Sequence, residues 1–114
     1  MLPKNRRLPT PLLLLALKKS TGFFSEHLTL RIHRLSGEKK KKLAQIAIIT
    51  PTRINSRAID RHLSKRKISA CLEKDLNLIK PNQYLIWQTQ KDITKLASAT
   101  LAQEIKSLLS SNSV

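Results

Sequence analysis

Cysteine occurs once in this 114-residue chain, glycine twice, aromatic residues four times and acidic residues seven times. Each shortage closes a class of explanation. A lone Cys71 cannot form an internal disulfide or a multi-cysteine zinc site, and the dispersed His27, His33 and His62 supply no replacement ligand set. Two glycines leave no Gly-rich phosphate loop, and with five prolines they are too few for collagen-like or low-complexity sequence. Phe23, Phe24, Tyr84 and Trp87 are the only aromatics, which argues against base stacking as the main mode of any nucleic-acid contact. Long apolar runs are also missing. The six residues Leu12 to Leu17 fall far short of the roughly 20 needed to span a bilayer. Lys4, Arg6 and Arg7 ahead of that run imitate a secretory signal, but Pro9 and Pro11 precede it, Lys18-Lys19 follow at once and no small-x-small site comes next. A short buried helix opened by Pro11 is expected instead.

What the chain has is positive charge. Twenty-two Lys and Arg leave +15 at pH 7 and a pI near 10.7, a surplus that repels itself unless an anionic partner relieves it. Seventeen of these cations lie between Met1 and Leu72 with only Glu26, Glu38 and Asp60 against them, whereas the remainder carries five lysines and four acids. The anion-binding surface must therefore come from the first two thirds. Size and the 40% apolar content suit a single domain over residues 1–114, with Ser110 to Val114 as a flexible tail. The single cysteine and the charge balance suit a cytoplasmic protein.

Between Phe23 and His33, Leu28, Leu30 and Ile32 alternate with Thr29, Arg31 and His33, the period of a half-buried strand. Ser36-Gly37-Glu38 breaks it, Lys39 to Lys42 read as a solvated loop, and Leu43 to Ile49 predict a second, central strand. Asn55 or Ser56 is expected to cap a helix carrying Arg57, Arg61 and Lys65 early and Ile68, Cys71, Leu72 and Leu76 late. After a turn at Pro81-Asn82, Tyr84 to Trp87 are expected to close the sheet, and a helix from Ala97 to Leu109, capped near Ser98, to pack over it. This order points to an α+β two-layer domain.

No catalytic constellation emerges. Asp60, His62 and Ser64 alternate on a helix and so point in three directions, and Asp60, Asp75 and Asp92 are too dispersed to hold a metal. No catalytic residue, bound metal or cofactor is assigned to the protein itself. The positive signal is Arg53, Arg57, Arg61, Lys65, Arg66 and Lys67, whose first four members recur every fourth residue. If about six such groups met phosphates, duplex binding would fall with log salt at a slope near −5. Backbone and shape recognition of RNA fits best, and a ribosomal or ribosome-assembly protein would satisfy charge and size equally well. A membrane-surface role lacks a basic helix bearing Trp or Phe.

The order of segments also resembles the protein subunit of bacterial ribonuclease P over nearly the whole chain. Leu2-Pro3-Lys4-Asn5-Arg6-Arg7-Leu8 is similar to that family's opening segment. Pro51 to Ile59 looks like its Ser-Lys-Lys-x-x-x-x-Ala-Val stretch, and Arg61-His62-Leu63-Ser64-Lys65-Arg66 like its Arg-Asn-Arg-x-Lys-Arg helix. His62 stands in place of the asparagine and Leu63 of the second arginine. The resemblance implies an α+β two-layer sandwich like domain 2 of ribosomal protein S5, with a left-handed βαβ crossover. It implies a subunit that assists a catalytic RNA in removing 5′ leaders from precursor tRNA, the RNA and its Mg²⁺ ions performing the hydrolysis. Arg53, Arg57, Arg61, His62, Lys65, Arg66 and Lys67 would form the RNA-contacting set. Leu13 and Leu17, in place of the family's phenylalanines on the first helix, with Phe23 and Phe24, would be leader-binding candidates. Expected partners are the ribonuclease P RNA and precursor tRNA, with no membrane and no obligate protein partner.

Overall fold

The computed structural model describes residues 2–35 and 43–112; the break expected at Ser36 to Glu38, the loop expected at Lys39 to Lys42 and the last two residues of the expected tail lie outside the described residues. Helix α1 (Thr10–Lys19) starts with Pro11 in its first turn and ends with Lys18 and Lys19, cations suited to the negative end of the helix dipole. Ser20 Oγ then donates to the Leu17 carbonyl at 3.0 Å.

The alternating segment is a hairpin, not one strand. Strand β1 (Thr21–Phe24) turns at Ser25 to His27 into β2 (Leu28–Arg34), with Phe23 opposite Leu30 and Gly22 opposite Arg31. Strand β3 (Gln45–Ile49), helix α2 (Ala58–Glu73), strand β4 (Gln83–Thr89) and helix α3 (Ser98–Ser111) follow. The sheet order is β1-β2-β4-β3, with β4 antiparallel to β2 and parallel to β3, so β3, α2 and β4 form a βαβ unit.

Two sequence expectations are exchanged. The strand around Tyr84 to Trp87 is central and β3 lies beyond it. The physical reason is visible in β4: Leu85 and Trp87 fill one face, Tyr84 and Ile86 the other, and only a strand covered on both sides tolerates that. The outer edge of β3 is shielded by the N-terminal segment, where the Leu8 N–H donates to the Ile46 carbonyl at 3.0 Å and Arg6 Nη1 reaches the Ala44 carbonyl at 3.3 Å.

The larger core lies beneath α2 and α3, whose Ile68, Leu72, Leu101 and Ile105 pack with Leu28, Leu30, Leu85 and Trp87. On the opposite face α1 lays Leu12, Leu13, Ala16 and Leu17 over Tyr84 and Ile86; expected to be buried, it leaves Leu14 and Leu15 exposed, because only one side of the helix meets the sheet. Helices therefore stand on both sides of the sheet, so the two-layer expectation gains a third, partial layer. The expected side-chain caps are absent as well: Arg57 is the N-cap of α2 and Ala97 that of α3, neither with a side-chain cap bond. Ser110 and Ser111, expected in a flexible tail, continue α3, and Asn112 Nδ2 bonds the Leu108 carbonyl at 2.7 Å. The Pro81-Asn82 turn forms as expected, with Asn82 at φ 63°, a left-handed conformation asparagine accepts readily.

Candidate nucleic-acid interface

The N-terminal half of α2 presents its cations unequally. Ser64, Ile68 and Leu72 form the buried row, and Arg61, one residue-row away, is half covered. Its Nη1 donates to the carbonyls of Asn55 (3.1 Å) and Ser56 (2.8 Å), bracing the loop that leads into the helix. His62, Leu63, Lys65 and Arg66 stand exposed, as do Arg53 and Arg57 at the helix start. Asp60 is the only acid in this half of the helix, placed in the first turn where the dipole favours it. The guanidinium face is thus neither buried nor sealed by carboxylates.

Lys67 is different. Its ammonium donates to the carbonyls of Ile93 (3.1 Å), Thr94 (2.7 Å) and Leu96 (2.8 Å), which uses all three of its N–H groups. Lys67 therefore fixes the loop before α3 and has no hydrogen left for a phosphate. Sequence spacing alone carries no sign of this, because the acceptors are backbone atoms 26 to 29 residues away.

The four leader candidates do not converge on one surface. Leu13 and Leu17 are half-buried under α1 against the Tyr84 and Ile86 face. Phe23 packs into the larger core on the other side of the sheet. Phe24, 68% exposed, alternates to the α1 face, where a methyl group at Gly22 would meet Arg31 Nη1 at 3.5 Å and the Phe24 ring at 3.8 Å. Arg31 and His33 share that face, with the His33 and Tyr84 ring centroids 5.8 Å apart. Their positions were signalled by the polar half of the strand alternation, which sequence reasoning left without a role.

A serine, a histidine and a glutamate also meet in space. Glu104 on α3 accepts from Ser25 Oγ (2.5 Å) and the His27 N–H (3.0 Å), while its second oxygen lies 2.8 Å from His27 Nδ1. The carboxylate is the hub and the hydroxyl donates to it, so the arrangement pins the hairpin turn to α3 instead of activating a nucleophile. Burial pushes the Glu104 carboxyl up, but the bonds from Ser25 and His27 outweigh that and hold it below its ordinary value. Bonds from the backbone and side chain of Thr94, with help from Asn55, hold Asp92 low in the same manner. Among the described residues no three His, Cys, Asp or Glu side chains gather as a metal site, and no helix is long and apolar enough to cross a membrane.

Fold and surface together define a basic α+β protein whose crossover helix displays unneutralised cations. The family model for ribonuclease P matches residues 2–112, and the chain belongs to that family. It is a protein subunit of ribonuclease P, with a role in tRNA processing. The ribonuclease P protein of Thermotoga maritima matches it in structure with a TM-score of 0.76 at 15% identity, over 90% of this chain and 94% of that one. A Staphylococcus aureus ribonuclease P protein, a mutant with defective mRNA degradation activity, matches with a TM-score of 0.82 at 13% identity, over 97% and 91%. No curated protein matches the sequence significantly. The ribosomal or ribosome-assembly alternative is not favoured.

Proposed function

We propose that the exposed cations of α2 dock this subunit on the ribonuclease P RNA and that the complex removes 5′ leaders from precursor tRNA in the cytoplasm. The observation that carries this reading is the uncovered set Arg53, Arg57, Lys65 and Arg66 beside His62, with Arg61 holding its base. Guanidinium and ammonium groups cannot act as general bases at neutral pH, so they serve as phosphate ligands while the RNA and its Mg²⁺ ions supply the chemistry. The described residues offer no ligand cluster for a metal, and no step is assigned to one held by the protein. Lys67, engaged with three carbonyls, leaves the contact set. The parallel β3-α2-β4 unit is the connection to which the left-handed crossover, and with it the likeness to domain 2 of ribosomal protein S5, is assigned in this reading. The face shared by Leu13, Leu17, Phe24 and Arg31 suits the leader, combining an apolar floor with one cation; Phe23 belongs to the core.

The test is precursor tRNA cleavage by a matching ribonuclease P RNA at low Mg²⁺, with and without this protein. Stimulation is expected, and its absence would overturn the reading. Arg66→Glu should weaken RNA binding by about 1.5–3 kcal/mol, the range for a lost charge-assisted contact, while thermal stability stays unchanged. Unaltered affinity at moderate salt would remove Arg66 from the interface.

A further inference from the structure

A groove of about 570 Å³ runs between α2 and α3, away from the face that carries Phe24 and Arg31. Its lining includes the exposed side chains of Arg66, Lys74 and Lys106, and Asp75 is its one carboxylate. The ion pair seen among the described residues, His27 with Glu104, involves none of the three cations. Ser98 and Ala99 border the same groove at the first turn of a 14-residue helix that has neither a side-chain cap nor an acid in that turn. The first N–H groups of such a helix lack partners within it and carry the positive end of its dipole. The carbonyls that precede α3 and would repel an anion are turned onto Lys67 Nζ. The remaining wall is small: Ala99 and Ala102 leave room for a tetrahedral oxyanion.

We propose that this groove between α2 and α3 is a second phosphate site, in which Arg66, Lys74 and Lys106 hold a backbone phosphate of the RNA that crosses α2. The continuity of the two surfaces argues for RNA as the occupant. Arg66 belongs both to the outer face of α2 and to the rim of the groove, so a strand docked on one reaches the other without leaving the protein. The inference rests on the RNA-docking role proposed above and extends it to α3. It also assigns work to lysines in the part of the chain where positive and negative charges nearly balance.

Cys71, half-buried in the same lining and the sole cysteine, is a built-in reporter. Burial pushes its thiol up while Lys74 pulls it the other way, so alkylation by iodoacetamide is followed at alkaline pH. The experiment compares the full-length protein with a Lys74→Gln/Lys106→Gln variant, whose exposed substitutions leave the core intact, in buffer, with ribonuclease P RNA and with inorganic tripolyphosphate. RNA should slow Cys71 alkylation several-fold in the parent protein and much less in the variant. The slope of log affinity for RNA against log salt should also shrink by up to about 0.9, the share of one duplex phosphate contact. RNA that binds and stimulates cleavage without protecting Cys71, with an unchanged slope in the variant, overturns the groove and leaves the docking role standing. Protection by tripolyphosphate but not by RNA overturns the RNA occupant and makes the groove a site for free polyphosphate. Failure of RNA to bind the parent protein at all sinks the docking role and this inference with it.

Discussion

The two faces of the sheet are built from the same strands and differ in what covers them. Under α2 and α3, Leu28, Leu30, Ile32, Leu85 and Trp87 are sealed from water. On the other face, among the described residues, the ten-residue α1 with Leu8 and Leu35 beside it covers Tyr84 and Ile86 but leaves Phe24 exposed and Arg31 and His33 half-exposed. One face stores stability and the other remains open to a partner. The period-two alternation of β2 makes this possible, because apolar and polar sets can be assigned to opposite faces residue by residue.

The comparison breaks first at Trp87. It is fully buried at the centre of the sealed face, so Trp87→Ala should cost about 3–5 kcal/mol in urea denaturation. A loss below about 1 kcal/mol would mean that the two faces share the load.

Next comes Glu104, which ties the β1-β2 turn to the helices above the sealed face. Glu104→Ala should cost about 1–3 kcal/mol, because it leaves the His27 N–H without its acceptor and the Ser25 hydroxyl with only the longer bond to the Leu28 carbonyl. The folded-state pKa lies below the ordinary 4.5, so the contribution is complete above that value and is lost as pH falls through the folded pKa. Stability followed downward from pH 5 should therefore decline more steeply in the parent than in Glu104→Gln. Parallel pH curves would remove the carboxylate from the account.

Phe24 should matter least to folding. With 68% of its surface already in water, Phe24→Ala should change stability by no more than about 0.5 kcal/mol, while weakening binding of single-stranded leader RNA. A large loss of stability, or full leader affinity, would count against the open face as a binding surface.

Much of this was legible in the chain. The basic register of α2, the helix opened by Pro11, the turn at Pro81-Asn82 and the apolar spacing of α3 all come from local chemistry, and the structure forms each of them. That Phe23 faces the core and Phe24 the opposite side follows from the same strand alternation. Strand order was not legible. Four consecutive apolar residues in β4 state that both faces are covered but do not name the neighbours. The restraint on Lys67 and the partial covering of Arg61 were equally hidden, because their partners are backbone carbonyls with no sequence signature.

By itself the amino-acid order determined that this would be a cation-rich chain with amphipathic pieces, since charge, periodicity and residue chemistry are local properties. Only the folded arrangement decided which cations remain available. A lysine and an arginine of equal charge are separated by whether three carbonyls from a distant loop converge on one of them, and that convergence exists only once α3 has packed beside α2.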